Sequence, residues 1–198
     1  MENYKYYILY KPFEILSQFS DEGKKHGLSS ILQVEKDVYP VGRLDSDSEG
    51  LLLITNDKSL NHRILDPKYK HERMYFVQVE GSATDEQIKK LNSPMILNLK
   101  GKKHWAQGQQ VRIIDEPDLP KRTPPIRFRK NVPTTWLEVK LKEGKNRQVR
   151  RMTASVGLPA LRLVRWSIEG LTIEKMESGE IKSIELEQVL SGIFGLKS

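Results

Sequence analysis

The loop Gly42-Arg43-Leu44-Asp45-Ser46-Asp47-Ser48-Glu49-Gly50 packs three carboxylates into five residues and runs straight into Leu51-Leu52-Leu53-Ile54-Thr55-Asn56. Folding does not require three acids at the mouth of an apolar strand. Their spacing therefore points either to cation binding or to a carboxylate that does chemistry. A carboxylate can attack an electrophilic carbon or take a proton without a cofactor. Two adjacent acids disfavour a third negative charge, so a working carboxylate here needs a cationic partner.

Asp45-x-Asp47-x-Glu49-Gly50 imitates the start of a calcium loop of the EF-hand type, which also requires a bidentate Glu at its twelfth position. Counting from Asp45, that position is Asn56, and Leu51 to Ile54 would have to curl around a cation instead of burying themselves. No helix pattern precedes the loop, because Tyr39-Pro40 stands where that helix would end. Calcium is thereby disfavoured. A surface turn of solvated acids remains the plain alternative to catalysis.

A second constellation is Glu143-Gly144-Lys145-Asn146-Arg147-Gln148-Val149-Arg150-Arg151-Met152. Asn146 is expected to cap a helix running to about Val156, with Gly157 ending it. Val149, Met152 and Val156 form its buried stripe, while Arg147 and Arg151 share another face. A basic helix start with free N–H groups suits phosphate. Arg150, at the edge of the buried stripe, is placed to pair with a carboxylate set back in a cleft. The competing reading is a solvated charged face.

The charge distribution favours a polyanion. The net charge is +7, yet residues 1–100 balance to −1, residues 101–165 hold 16 basic against 5 acidic side chains, and residues 166–198 sum to −3. A merely soluble surface would spread its lysines more evenly. Lys121, Arg122, Arg127, Arg129 and Lys130 fall in a Pro117–Pro133 segment with five prolines, which reads as an exposed arm. Leu161-Arg162-Leu163-Val164-Arg165-Trp166 adds to the basic surface. Trp105, Phe128, Trp136 and Trp166 have flat faces that stack on bases, although each alone also suits a core. The absence of an amphipathic basic helix with a broad apolar face sets nucleic acid ahead of a membrane surface.

The elements that must position these residues are mostly strands. Tyr4–Tyr10, Leu51–Thr55, Met74–Glu80, Val111–Ile114, Trp136–Leu141, Leu161–Ile168 and Ile181–Leu186 carry strand patterns. Asn56 or Asp57 caps a helix to about Leu65, Thr84-x-x-Gln87 forms a capping box for a helix to Leu91, and Gln188–Ile193 is a last helical turn or two. The irregular order predicts an α+β fold with a mixed, mostly antiparallel sheet, arranged as two lobes around a basic cleft. With 198 residues, 37% hydrophobic and 30% charged, the chain is long enough for a sizeable core. It has no cysteine, its four histidines show no metal-ligand spacing, and no apolar run approaches a membrane span. A cytoplasmic protein is expected.

Three segments together resemble the motifs of the pseudouridine synthases. They are Gly42-Arg43-Leu44-Asp45-x-Asp47-Ser48-Glu49-Gly50-Leu51-Leu52, then Tyr75-x-Val77-x-Val79-x-Gly81, then Glu143 to Met152. The match is to the branch that modifies ribosomal RNA, and Thr123-Pro124-Pro125-Ile126-Arg127 is similar to the E subfamily acting on the large subunit. The resemblance implies a single catalytic domain over residues 1–198 that starts directly at its first strand, leaving no room for an N-terminal S4-type RNA-binding domain. It implies isomerisation of uridine to pseudouridine, with Asp45 as the essential carboxylate, either nucleophile or base. Arg150 would be its cationic partner, Tyr75 would stack on the uracil, and Arg43 would fill the gap left by the flipped base. Asp47 and Glu49 would shape the loop, and no metal or organic cofactor is expected. Lys145, Asn146, Arg147, Arg151, Arg127, Arg129 and Lys130 are the expected RNA contacts. The expected substrate is large-subunit ribosomal RNA, as a stem-loop or in unfolded form, bound by a monomer. The alternative is a non-catalytic RNA-binding or ribosome-assembly module.

Overall fold

The apolar run after the acidic loop becomes the centre of the molecule. In a computed structural model, which describes residues 4–99, 101–126 and 129–195, strand β3 spans Glu49–Thr55 and all seven of its residues are buried. Strand β1 (Tyr6–Lys11) pairs with it antiparallel, from Tyr6 opposite Thr55 to Lys11 opposite Gly50. Alternation assigns the faces. Tyr6, Ile8, Tyr10, Leu51 and Leu53 point into one apolar cluster, and Leu9, Leu52 and Ile54 into another. A continuous Leu-Leu-Leu-Ile run is what a strand covered on both sides requires.

Short strand β2 (Tyr39–Pro40) also lies against β3. Helix α1 (Lys58–Leu65) follows, its first turn closed by the Asp57 carboxylate accepting the Leu60 N–H. Strand β4 (Arg73–Glu80) alternates buried Tyr75, Val77 and Val79 with half-exposed neighbours. Helix α2 (Asp85–Leu91) begins with both bonds of the Thr84–Gln87 capping box. Strands β5 (Met95–Leu99) and β6 (Lys102–Ala106) form a separate hairpin. Strands β7 (Gln110–Ile114) and β8 (Thr134–Leu141), helix α3 (Gln148–Ser155) and strands β9 (Ala160–Ile168), β10 (Leu171–Thr172) and β11 (Ile181–Ser183) come next, before helix α4 (Leu186–Phe194).

The main sheet runs β11-β1-β3-β9-β4-β8-β7, with β2 and β10 attached at its sides. Its pairings are antiparallel except for β3 with β9. The mixed, mostly antiparallel α+β expectation holds. Leu60 and Ile64 of α1 with Val189 and Ile193 of α4 cover the β1–β3–β9 portion. Leu91 of α2 with Val149 and Met152 of α3 cover Tyr75, Val77, Val79, Leu137 and Val139. Where β3 and β9 converge, Gly50 has φ +108°, and a Cβ there would run into the backbone of Arg165. Only glycine permits that approach.

Three local expectations are corrected. Asn146 does not cap α3. The cap position belongs to Arg147, in the left-handed region at φ 51°, and its side chain makes no capping bond. The Gln148 amide organises the turn instead, accepting the Lys145 N–H at 3.0 Å and donating to Glu143 at 2.6 Å. The Pro-rich segment is not free over its first half. Leu119 packs on the core, the Pro120 carbonyl accepts from Arg162, and Arg122 lies over the Phe13 ring at 4.1 Å. Arg162 and Arg165 are not surface cations, since both are buried.

Candidate active site

The acidic loop is clamped before it reaches β3. The Ser17 hydroxyl accepts the Leu44 N–H and donates to the Leu44 carbonyl, each at 2.9 Å. The Ser46 carbonyl accepts the Glu14 N–H at 2.7 Å, and a tight turn returns the Ser48 N–H to the Asp45 carbonyl at 3.0 Å. Gly42, at φ +72°, lets the chain enter the loop beside Leu65. The backbone around Asp45 is therefore fixed by neighbours on both sides, while its side chain stays one-third exposed, at 33%.

The three acids have separate partners. Glu49 is buried and forms a bidentate pair with Arg162 at 2.8 and 2.9 Å. Asp47 takes both Arg147 terminal nitrogens at 2.8 Å. Arg150 lies 3.4 Å from the same carboxylate through Nε and donates to the Asp47 carbonyl at 2.6 Å and the Ala160 carbonyl at 3.0 Å. The Asp45 carboxylate has no hydrogen bond to another described residue, and among the described residues it forms an ion pair with Arg147, at 3.8 Å. The expected pairing of Arg150 with Asp45 is thus corrected: Arg150 grips Asp47, and Arg147 bridges the two aspartates. The reason is geometric. Arg147, in left-handed backbone at the start of α3, reaches both aspartate carboxylates, whereas Arg150, three residues into the helix, reaches the Asp47 carboxylate.

Burial works to raise the Asp47 pKa, but the hydrogen bonds from Arg147 and the nearby Arg150 charge outweigh it and hold the carboxyl below its usual value. A depressed folded-state value contributes stability above the unfolded value of about 3.9, lost as pH falls through the folded value. The advantage of the wild type over Asp47→Asn in urea midpoint is accordingly full at neutral pH and disappears in acid below about pH 4. A difference that stays constant down to pH 2 would show that the Arg147 and Arg150 contacts do not depend on the Asp47 charge.

Asp45 opens onto a cavity of about 1130 Å³, lined also by Arg43, Tyr75, Lys145, Asn146, Arg147, Arg165 and Trp105. Small-ligand pockets are typically ~300–1,000 Å³, so a nucleotide with part of its backbone fits. Seven lysines and arginines against three acids line it. Tyr75 is 8% exposed on the cavity wall, opposite Arg165 in the β4–β9 register. Arg43 is exposed, with no hydrogen bond or ion pair to another described residue. Of the remaining expected contacts, Lys145 and Asn146 are exposed at the cavity, Arg151 donates to the Asn98 carbonyl at 2.9 Å, Arg129 pairs with Glu80, and Lys130 is exposed. Arg127 lies outside the described residues, as does Phe128.

Residues 5–155 match the family described as RNA pseudouridylate synthase. The chain belongs to that family. A ribosomal large subunit pseudouridine synthase E from Vibrio vulnificus is 46% identical over 182 residues, spanning 92% of this chain and 76% of the relative. The protein of the same name from Xanthomonas axonopodis pv. citri is 49% identical over 164 residues, 81% of this chain and 84% of its own. A crystal structure of a pseudouridylate synthase shares the fold at a TM-score of 0.75 and 23% identity, covering 96% of this chain and 74% of the other.

In this pseudouridine synthase Lys11 and Ser17 carry no motif that marks them in the sequence, and Arg165 reads there only as a surface cation. Lys11 lies fully buried behind the loop, donating to the Pro12 and Ile15 carbonyls at 2.7 Å. Burial pushes its ammonium down to about 7, against the opposing pull of Glu49, Asp47 and Asp45. The available signal was a lysine continuing the register of an otherwise apolar strand. Arg165 donates from Nε to the Leu51 carbonyl at 2.8 Å, and burial lowers its pKa while the nearby Tyr75 counters that effect. Its carbonyl partner Leu51 sits 114 residues away in the sequence, beyond local pattern.

Proposed function

We propose that this protein isomerises a uridine of large-subunit ribosomal RNA to pseudouridine, acting in the cytoplasm as a single, monomeric catalytic domain. The observation that carries the reading is Asp45 itself. It is a loop carboxylate with its backbone clamped and its side chain open to a basic cavity that also holds Tyr75. Membership of the pseudouridylate synthase family and the names of the 46–49% identical relatives support the reaction and the RNA class.

In the reaction the bond from ribose C1′ to uracil N1 breaks, the base turns, and C1′ joins C5. C5 gives up its proton and N1 gains one, so the product is an isomer. Asp45 acts on the sugar as nucleophile at C1′ or as the base that begins an elimination. Arg147 balances its charge, and the Asp47–Arg147–Arg150 cluster fixes Arg147 in place. Tyr75 offers a flat wall for the uracil. Arg43, unengaged at the rim, takes the position of the extruded base and offsets part of the cost of flipping, a few kcal/mol. The exposed Lys145, Asn146 and Lys130 track the backbone, together with Arg129 and Arg151, and Arg127 is a further contact proposed from the sequence alone.

The direct test is release of tritium from 5-tritiated uridine in protein-free large-subunit ribosomal RNA. Turnover supports the enzyme, and tight binding without release would favour a non-catalytic assembly module. RNA affinity is also expected to fall steeply with salt, by about 0.7–0.9 log units per phosphate contact for each log unit of salt. With four or more contacts the slope is about −3 or steeper. A flat response in a filter-binding titration would overturn the basic RNA face.

A further inference from the structure

We infer that Trp105 is a stacking platform for an unpaired nucleobase of the substrate RNA beside the reacting uridine. The inference rests on the functional reading above for the identity of the RNA, and on the β5–β6 hairpin for the geometry.

In the hairpin register Ile96 stands opposite Trp105, and these residues are 51% and 67% exposed. The neighbouring pairs turn Leu97 and Ala106 inward, where they join the core beneath α2 and α3. The alternation is therefore complete, and Trp105 points outward by register. The other two tryptophans behave differently: Trp136 is 7% exposed, and Trp166 packs on the core and against Phe76, with ring centroids 5.2 Å apart. A tryptophan buries roughly 150–250 Å² in a core. Trp105 leaves most of that surface uncovered, at the edge of the cavity that contains Asp45 and Tyr75.

The hairpin is anchored. Arg151 of α3 donates to the Asn98 carbonyl at 2.9 Å, and His104 Nε2 lies 3.1 Å from the Glu143 carboxylate in the loop leading to α3. These ties fix Trp105 relative to the helix start that carries Arg147. Lys103 is exposed two residues away on the same face, and Lys142 lines the cavity nearby. A flat aromatic face flanked by cations, along a groove, is the pattern that holds single-stranded nucleic acid. A second copy of the chain fits less well. Stable protein interfaces bury about 1,200–2,000 Å², and Ile96 with Trp105 offer a two-residue apolar patch bordered by lysines. Stacking is sequence-tolerant, so the platform would hold a flanking base open without naming it.

The test compares wild type with Trp105→Ala, Trp105→Phe and Trp105→Leu on protein-free, 5-tritiated large-subunit ribosomal RNA. Filter binding gives Kd and tritium release gives kcat and KM. Base–aromatic stacking of about 1–3 kcal/mol corresponds to a rise of roughly 5- to 150-fold in Kd and KM for Trp105→Ala. The inference expects kcat to change less than about threefold, Trp105→Phe to recover most of the loss, and Trp105→Leu to recover little. Unchanged Kd and KM in Trp105→Ala would overturn it, as would full recovery by leucine. So would sedimentation showing a wild-type dimer that Trp105→Ala dissociates. If the wild type binds RNA without releasing tritium, the enzymatic reading fails, and the Kd series still decides the role of Trp105.

Discussion

Asp45→Asn is expected to remove isomerisation, lowering kcat by about 10⁴-fold or more, as loss of a reacting side chain does in other enzymes. Thermal stability and RNA affinity should stay close to wild type. The expectation follows from how little Asp45 does for the fold. Its carboxylate accepts no hydrogen bond from another described residue, and its one ion pair, with Arg147, is long at 3.8 Å. Arg147 keeps its bidentate bond to Asp47 in the variant. Asparagine preserves the side chain's shape and removes both its charge and its capacity to attack C1′ or accept a proton. Tritium release under single-turnover conditions, with filter binding on the same RNA, separates the two effects. Activity above about 1% of wild type would move the chemistry to another carboxylate. The neighbouring acids then provide the control. Asp47→Asn should weaken both the loop and turnover, because Asp47 holds two arginines.

The site is legible in sequence where its signal is local. Gly42 to Gly50 followed by an apolar run gave a fixed loop at a buried strand mouth, since Leu51 to Ile54 could satisfy both faces only in a sheet interior. Thr84 and Gln87 formed their capping box as spaced. Signals that depend on distant partners were misassigned. Arg162 and Arg165 read as additions to a basic surface, because nothing near them shows that Glu49 and the Leu51 carbonyl await them in the interior. Arg150 read as the partner of Asp45, when only three-dimensional geometry decides which of two aspartates an arginine on α3 reaches. The β5–β6 hairpin escaped notice because its outward face mixes Ile96 and Trp105 with Asn98 and Lys103, which blurs the alternation. Ile96 and Trp105 both break the polar-out rule there, and Trp105 is the one for which a ligand is inferred.

The largest effect on stability is expected from Arg162→Ala, at about 3–5 kcal/mol. Glu49 and Arg162 are 1% and 7% exposed, and the pair is bidentate. Truncating the arginine leaves the carboxylate buried at the junction of the acidic loop and β3. Lys11, which also feels the Glu49 charge, already donates to two backbone carbonyls. The Pro120 carbonyl loses its donor as well, which removes one of the ties between the Pro-rich segment and β9. Urea unfolding at neutral pH should show a lower midpoint. A cost below 1 kcal/mol would mean that water or Lys11 takes over the charge. Replacing both partners, Glu49→Leu with Arg162→Met, should return most of the loss, because an apolar pair removes the unpaired charge along with the bond. Turnover in that double variant should remain depressed. Arg162 also anchors the Pro-rich segment, and Glu49 follows Asp45 by four residues, so the pair holds the loop in register with the cavity. Recovery of stability without recovery of kcat would separate the charge balance of the interior from the positioning of Asp45.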